Sequence, residues 1–149
     1  MITKQEQQVI NHAVSILLSK LQNTNVAYTR PESVKQFCQL NIGHLEHEVF
    51  AVLFLNNQHQ LIKFEKLFRG TIDGASVHPR EVVKACLYAN AAAVIFTHNH
   101  PSGLAEPSPA DINITVSLQK TLELIEIRVL DHIIVTHNQV VSFSERGLL

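Results

Sequence analysis

An α/β fold with a mixed sheet and helices on both of its faces is the architecture this sequence predicts. Three observations support it. The pattern along the chain runs helix, helix, strand, strand, helix, strand, helix, strand, strand, so helices and strands interleave. The segment Glu48–Leu55 is apolar on both of its alternating faces, which suits a central strand covered from both sides. A chain of 149 residues with 46% hydrophobic and 17% charged side chains can bury one sizeable core, which excludes disorder as its main state.

The elements follow in order. Residues 4–22 read as an amphipathic helix, with Val9, Ile10, Ala13, Val14, Leu17 and Leu21 at three- and four-residue spacings. Thr3 with Glu6 forms a capping-box pattern at its start. Asn23-Thr24-Asn25 is a polar break, and Thr29 with Glu32 repeats the capping signal. Pro31 sits in the first turn of a short second helix that carries Val34, Phe37 and Cys38 and stops by Gly43. Glu48–Leu55 is the first strand, Asn56–His59 a turn, and Leu61–Phe68 the antiparallel return. Gly70 and Gly74 mark a loop. Pro79 opens a helix to about Asn90 with Val82, Val83, Cys86 and Leu87 as its apolar stripe, and Cys86 is expected in the core. Ala92–Thr97 is a short buried strand, and His98–Pro109, with three of the five prolines, is a loop. Residues 109–125 alternate like a strand at Ile112, Ile114, Val116 and Leu118. The start Ser108-Pro109-Ala110-Asp111 and the later Leu122–Ile125 spacing decide for a helix. Ile127–Val135 and Val140–Phe143 complete the sheet. Residues 1–28 form an N-terminal helical arm and 29–149 the domain proper.

Composition narrows the function classes. The formal net charge of −1 argues against a strongly basic nucleic-acid module, whose phosphate contacts need surplus Lys and Arg. The longest unbroken apolar run, Val49–Leu55, is far below the roughly 20 residues of a membrane span. The polar start at Met1–Gln8 does not resemble a secretory signal, so a cytoplasmic location is expected. Cys38 and Cys86 are too few for a disulfide framework or a cysteine-based zinc site. Nine histidines direct attention to metals and acid/base chemistry.

The densest chemistry is Thr97-His98-Asn99-His100-Pro101 followed by Ser108-Pro109-Ala110-Asp111. Two-residue spacing in extended chain puts the imidazoles of His98 and His100 on one face, where both nitrogens can reach one cation. The first turn of the helix after Ser108 can aim the Asp111 carboxylate at the same point. Two nitrogens and one oxygen leave a fourth coordination position open, as in catalytic rather than structural zinc sites. A lone His-x-His is weak evidence of metal, and Ser-Pro-x-Asp is also an ordinary helix start. Glu48 stands at the mouth of the apolar strand as a candidate base; taken alone, it also reads as an exposed strand end beside Glu46 and His47. His78-Pro79-Arg80-Glu81 reads as a cleft lining or as a helix N-terminus. Asp131 and His132, polar residues in an apolar strand, read first as a structural hydrogen-bonded pair and second as a brace for the site.

A glutamate before an apolar strand, then His-x-His-Pro, then Ser-x-x-Asp seven residues on, resembles the JAMM metal-binding motif of the JAB1/MPN superfamily. Val77-His78-Pro79-Arg80-Glu81, His98–Gly103 and Leu130-Asp131-His132-Ile133-Ile134-Val135 closely resemble the RadC family of bacterial proteins, over roughly residues 40–149. The resemblance implies an α-β-α sandwich of the cytidine-deaminase-like (JAB/MPN) type. It implies one zinc held by His98, His100 and Asp111, Glu48 as general acid/base, and Ser108 assisting the oxyanion of an attacked amide or isopeptide carbonyl. The function it implies is a zinc metallopeptidase acting on a peptide or protein substrate. The alternative is a non-proteolytic accessory module associated with DNA repair or mobile elements. Residues 1–40 show no Gly-rich hairpin of the helix-hairpin-helix kind that longer members carry, so nucleic-acid binding is expected to be weak. Zinc-dependent deamination on a related sandwich calls for a Cys-x-x-Cys that two isolated cysteines cannot supply.

Overall fold

The computed structural model describes residues 1–22, 31–70 and 77–149. The anticipated break at Asn23–Asn25, the capping role of Thr29 and the loop position of Gly74 lie outside these residues. Among the described residues the order is α1 (Lys4–Gln22), α2 (Pro31–Ile42), β1 (Val49–Leu55), β2 (Leu61–Arg69), α3 (Pro79–Tyr88), β3 (Ala93–Asn99), α4 (Pro109–Glu123), β4 (Arg128–Val135) and β5 (Val140–Ser142). The strands form one mixed sheet in the order β2-β1-β3-β4-β5. Only β3 and β4 run parallel, joined by the crossover helix α4; the other neighbours are antiparallel.

The two-faced apolarity of β1 has the expected cause. Every residue of β1 is buried. Val49, Ala51, Leu53 and Leu55 face a core shared with Val34, Phe37, Cys38 and Ile42 of α2. Phe50, Val52 and Phe54 face the opposite core with Val82 and Cys86 of α3 and Ile114, Leu118 and Leu122 of α4. Full burial of a Val, Leu or Phe stabilises by about 1.5–3 kcal/mol. A strand with six such positions and a buried Ala51 is therefore driven to the centre, between β2 and β3. The result is a three-layer α-β-α sandwich.

Local chemistry sets the ends. Thr3 and Glu6 cap α1 reciprocally: the Glu6 N–H donates to Thr3 Oγ1 at 3.2 Å, and the Thr3 N–H donates to Glu6 Oε2 at 2.6 Å. Among the described residues α1 packs on this core through its second half, by Val14, Leu17, Leu18 and Leu21. Val9, expected on the apolar stripe, is 70% exposed. Helix α3 ends before Asn90 because Asn90 takes a left-handed backbone (φ 53°), and the following Ala91 N–H turns back to Cys86 O. Gly43, just past α2, has no room for a side chain: a Cβ there would lie 2.8 Å from Thr136 O at the end of β4. No helix among the described residues is long and apolar enough to cross a membrane.

One boundary differs in a way that matters. The loop expected from His98 onward begins two residues later, since His98 and Asn99 are the last residues of β3. Their backbones are held on both sides, His98 opposite Phe50 of β1 and Ile134 of β4, and Asn99 opposite Val135. These partners are remote in sequence, so the local polarity of Thr-His-Asn-His gives no sign of them.

Candidate metal centre

Strand β3 carries Val94, Phe96 and His98 on the face covered by α3 and α4. His100 follows on the same side, just past the strand. Its N–H still donates to Val135 O at 3.0 Å, which prolongs the edge of β3 by one step. The chain then turns: Gly103 N–H donates to His100 O, and Gly103 sits at φ +87°, a conformation suited to glycine. This turn brings the Leu104 carbonyl 2.8 Å from His100 Nδ1. A carbonyl only accepts, so the His100 proton sits on Nδ1 and Nε2 looks into the site.

Asp111 comes from the first turn of α4. Ser108 is the N-cap, its Oγ accepting from the Asp111 N–H at 3.1 Å, while Asp111 Oδ2 accepts from the Ser108 N–H at 2.8 Å. The helix-start and metal-ligand readings of Ser-Pro-x-Asp are thus compatible, because the cap fixes the carboxylate that turns inward. Asp111 is 2% exposed and His98 is fully buried. His98 Nε2 lies 2.9 Å from His100 Nε2 and 3.3 Å from Asp111 Oδ1, and His100 Nε2 lies 3.2 Å from Asp111 Oδ2.

These three residues could hold one metal ion, each offering a ligand atom within 4.8 Å of the others. Donors about 2.0–2.1 Å from a tetrahedral zinc stand roughly 3.3 Å apart, close to the spacing found. The electrostatics agree. Burial pushes His98 below the ordinary imidazole range, against the opposing pull of Asp111. Burial alone would raise Asp111, but the contacts with His100 and His98 outweigh it and hold the carboxyl well below the usual range. Asp111 raises His100, because a second proton on that ring, at Nε2, would be donated to the carboxylate; an ion at the site takes the place of that proton. With both rings neutral, two imidazole nitrogens and an ionised carboxylate, all acceptors, converge on a point that favours a cation.

Glu48 lies immediately before β1 and is half-buried. It stands two residues before Phe50, which pairs with His98 in the antiparallel register of β1 and β3. Its charge is one of the causes that raise His100. The segment is clamped by Asn99, the residue between the two histidines: Asn99 Oδ1 accepts from the Val49 N–H at 2.7 Å, and its Nδ2 donates to His47 O at 2.9 Å and Leu45 O at 3.2 Å. One buried amide therefore grips the backbone on both sides of Glu48. Sequence reasoning passed over Asn99; the signal available was a carboxamide in the middle of a His-x-His.

A family model described as "RadC-like JAB domain" matches residues 28–148. The chain belongs to that family. Its α/β sandwich with the mixed five-stranded sheet is accordingly of the JAB/MPN type. Relatives are numerous, and several carry the name UPF0758 protein. One from Methylibium petroleiphilum is 55% identical over 95% of this chain and 63% of its own length. One from Vibrio cholerae is 52% identical over 97% of this chain and 91% of its own. One from Cellvibrio japonicus is 60% identical over 80% of this chain and 53% of its own. The chain thus spans under two thirds of some relatives and nearly all of others.

The remaining polar positions of this RadC-like domain separate cleanly. His78 is the N-cap residue of α3 with Pro79 at the first helical position, and Arg80 is exposed, so the helix-start reading holds there. Asp131 and His132 do not pair side chain to side chain. Asp131 accepts from Ser142 Oγ at 2.5 Å and from the Ser144 N–H at 2.9 Å, tying down the chain end. His132 is fully buried on the other face, with Nε2 2.7 Å from His98 Nδ1. Adjacent strand residues point to opposite faces, which is why one serves the fold and its neighbour reaches the site. Cys86 is core, as expected.

The cap gives a first expected outcome. Ser108→Ala removes the acceptor for the Asp111 N–H and should cost about 1 kcal/mol. For a chain of this size that is a fall of about 2–4 °C in Tm. Thermal melting checks it; an unchanged Tm would mean that the cap contributes nothing here.

Proposed function

We propose that this chain is a zinc-dependent metallohydrolase that cleaves peptide or isopeptide bonds. The observation that carries this reading is the convergence of His98 Nε2, His100 Nε2 and the Asp111 carboxylate, His98 and Asp111 buried and His100 half-buried, with the charge of Glu48 acting on His100. His98, His100 and Asp111 would hold the ion, which supplies Lewis acidity toward water and toward a carbonyl oxygen. Three protein ligands suit a catalytic site better than a closed structural one.

Glu48 is the proton carrier. Its carboxylate takes the proton of the attacking water and delivers it to the departing amine nitrogen. Asn99 holds the backbone on either side of Glu48 so that the carboxylate starts from a fixed place. Ser108 Oγ already accepts from the Asp111 N–H, so its own hydroxyl proton is available to the carbonyl oxygen as charge develops there. The capped helix makes that donor rigid before the substrate arrives.

Two measurements test the proposal. Elemental analysis of protein purified without chelator should find about one zinc per chain, as a single three-ligand site requires. Zinc-loaded protein incubated with a peptide library and with cell extract should generate new chain termini that Glu48→Gln does not. Zinc without new termini would turn the reading toward a non-proteolytic metal-binding module; no bound metal after zinc supplementation would overturn both.

A further inference from the structure

Behind the candidate ligands runs a second line of buried polar atoms. His98 Nδ1 is 2.7 Å from His132 Nε2, His132 Nδ1 is 2.6 Å from Thr115 Oγ1, and Thr115 Oγ1 is 2.6 Å from Asp111 O. His98, Thr115 and His132 are all fully buried. The His132 ring lies among phenyl rings, 5.6 Å from Phe50, 5.9 Å from Phe96 and stacked 4.7 Å from Phe143. Each polar atom in this line must therefore be satisfied by its neighbour.

The direction of the line follows from counting hydrogens. The Thr115 hydroxyl has one proton, and a carbonyl oxygen has none. Two oxygens 2.6 Å apart need a proton between them, so the hydroxyl donates to Asp111 O. Thr115 Oγ1 can then only accept from His132, which puts the His132 proton on Nδ1. A charged imidazole among three phenyl rings is strongly disfavoured, so His132 Nε2 is bare and accepts. His98 must supply that proton from Nδ1, and its Nε2 lone pair is left facing the cluster. The opposite polarity would put a proton on His98 Nε2, where His100 Nε2 lies 2.9 Å away, but it would turn the Thr115 hydroxyl toward His132 and leave Thr115 Oγ1 and Asp111 O 2.6 Å apart with no proton between them.

We infer that His132 and Thr115 are positioning residues, a one-way hydrogen-bond chain that locks His98 in the Nδ1–H tautomer and presents its Nε2 lone pair to the ion-binding point. The chain begins on the backbone carbonyl of Asp111 and ends beside its carboxylate, so it also holds two of the three ligands in mutual register. This rests on the metal-site part of the proposed function and is independent of peptide hydrolysis.

The test has two readouts besides activity. Nitrogen-15 NMR of ring couplings in metal-stripped protein should find both His98 and His132 protonated at Nδ1. Competition with a chromophoric chelator should show zinc bound about 10–100-fold more weakly by His132→Leu, the usual consequence of losing such a partner. Thr115→Val should weaken binding in the same direction by less. His132→Gln, whose amide oxygen can accept from His98, should fall between wild type and His132→Leu. Circular dichroism monitors folding; if His132→Leu does not fold, Thr115→Val, His132→Gln and the NMR of the unaltered protein still decide. A proton on His98 Nε2 would overturn the inference, as would wild-type zinc affinity in both His132→Leu and Thr115→Val. If the unaltered protein binds no zinc, the metal reading falls, while the NMR result still settles the polarity of the chain.

Discussion

Asp111→Ala is expected to abolish metal binding and hydrolysis together. Asp111 supplies the sole carboxylate of the cluster, and its two oxygens face the two histidines separately, Oδ1 toward His98 at 3.3 Å and Oδ2 toward His100 at 3.2 Å. Without it two imidazole nitrogens remain 2.9 Å apart with no charge to balance a dication. The loss of affinity should exceed the 10–100-fold that an outer-shell partner is worth. The same carboxylate caps α4 through the Ser108 N–H, so the variant should also lose roughly 0.3–1 kcal/mol as the negative charge leaves the helix N-terminus. Asp111→Asn separates the two effects, because its amide oxygen can still accept from Ser108 while the charge is gone. Zinc titration and thermal melting of both variants check this. If Asp111→Ala retained zinc at wild-type affinity, the three-ligand assignment would be wrong, whatever happened to stability.

Much of this arrangement is legible in the chain itself, for identifiable reasons. The central place of β1 follows from its two-faced apolarity. The choice of helix for residues 109–125, against the strand-like alternation of Ile112, Ile114, Val116 and Leu118, follows from Ser108 and Pro109. In the fold Ile114, Thr115, Leu118 and Leu122 are buried at helical spacing, while Val116 is 37% exposed. The candidate ligands lie close together in sequence, within Thr97–Asp111, so a short loop and one helix start bring them together. What stays hidden is non-local. The strand character of His98 and Asn99 depends on Phe50 and on Ile134 and Val135. The clamp of Asn99 on Val49 spans fifty positions. The role of His132 depends on sheet register: opposite Phe96 it shares the face of His98, and a one-residue slip would have delivered Asp131 instead. Period two in a strand says that the neighbours diverge, but only the register says which of them reaches the site.

Glu48→Gln is expected to keep zinc and fold while losing most of the rate. The substitution leaves the backbone of the segment intact, since the Asn99 contacts go to His47 O and Val49 N and the Gly70 N–H donates to Glu48 O at 2.9 Å. Gln has nearly the same shape as Glu but cannot take up a proton at neutral pH. The acid/base work is removed, which typically contributes a factor of about 10²–10⁴. That corresponds to roughly 2.7–5.4 kcal/mol of barrier at 1.36 kcal/mol per tenfold. The decisive comparison is with Asp111→Ala, where zinc and rate should disappear together; here the rate should fall with zinc retained. Metal content, melting temperature and hydrolysis rate measured side by side display the contrast. Loss of zinc from Glu48→Gln as complete as from Asp111→Ala would make Glu48 a ligand. Wild-type hydrolysis of an identified substrate by Glu48→Gln would remove Glu48 from the chemistry, and the proposed mechanism would fail for this chain even with its fold and metal intact.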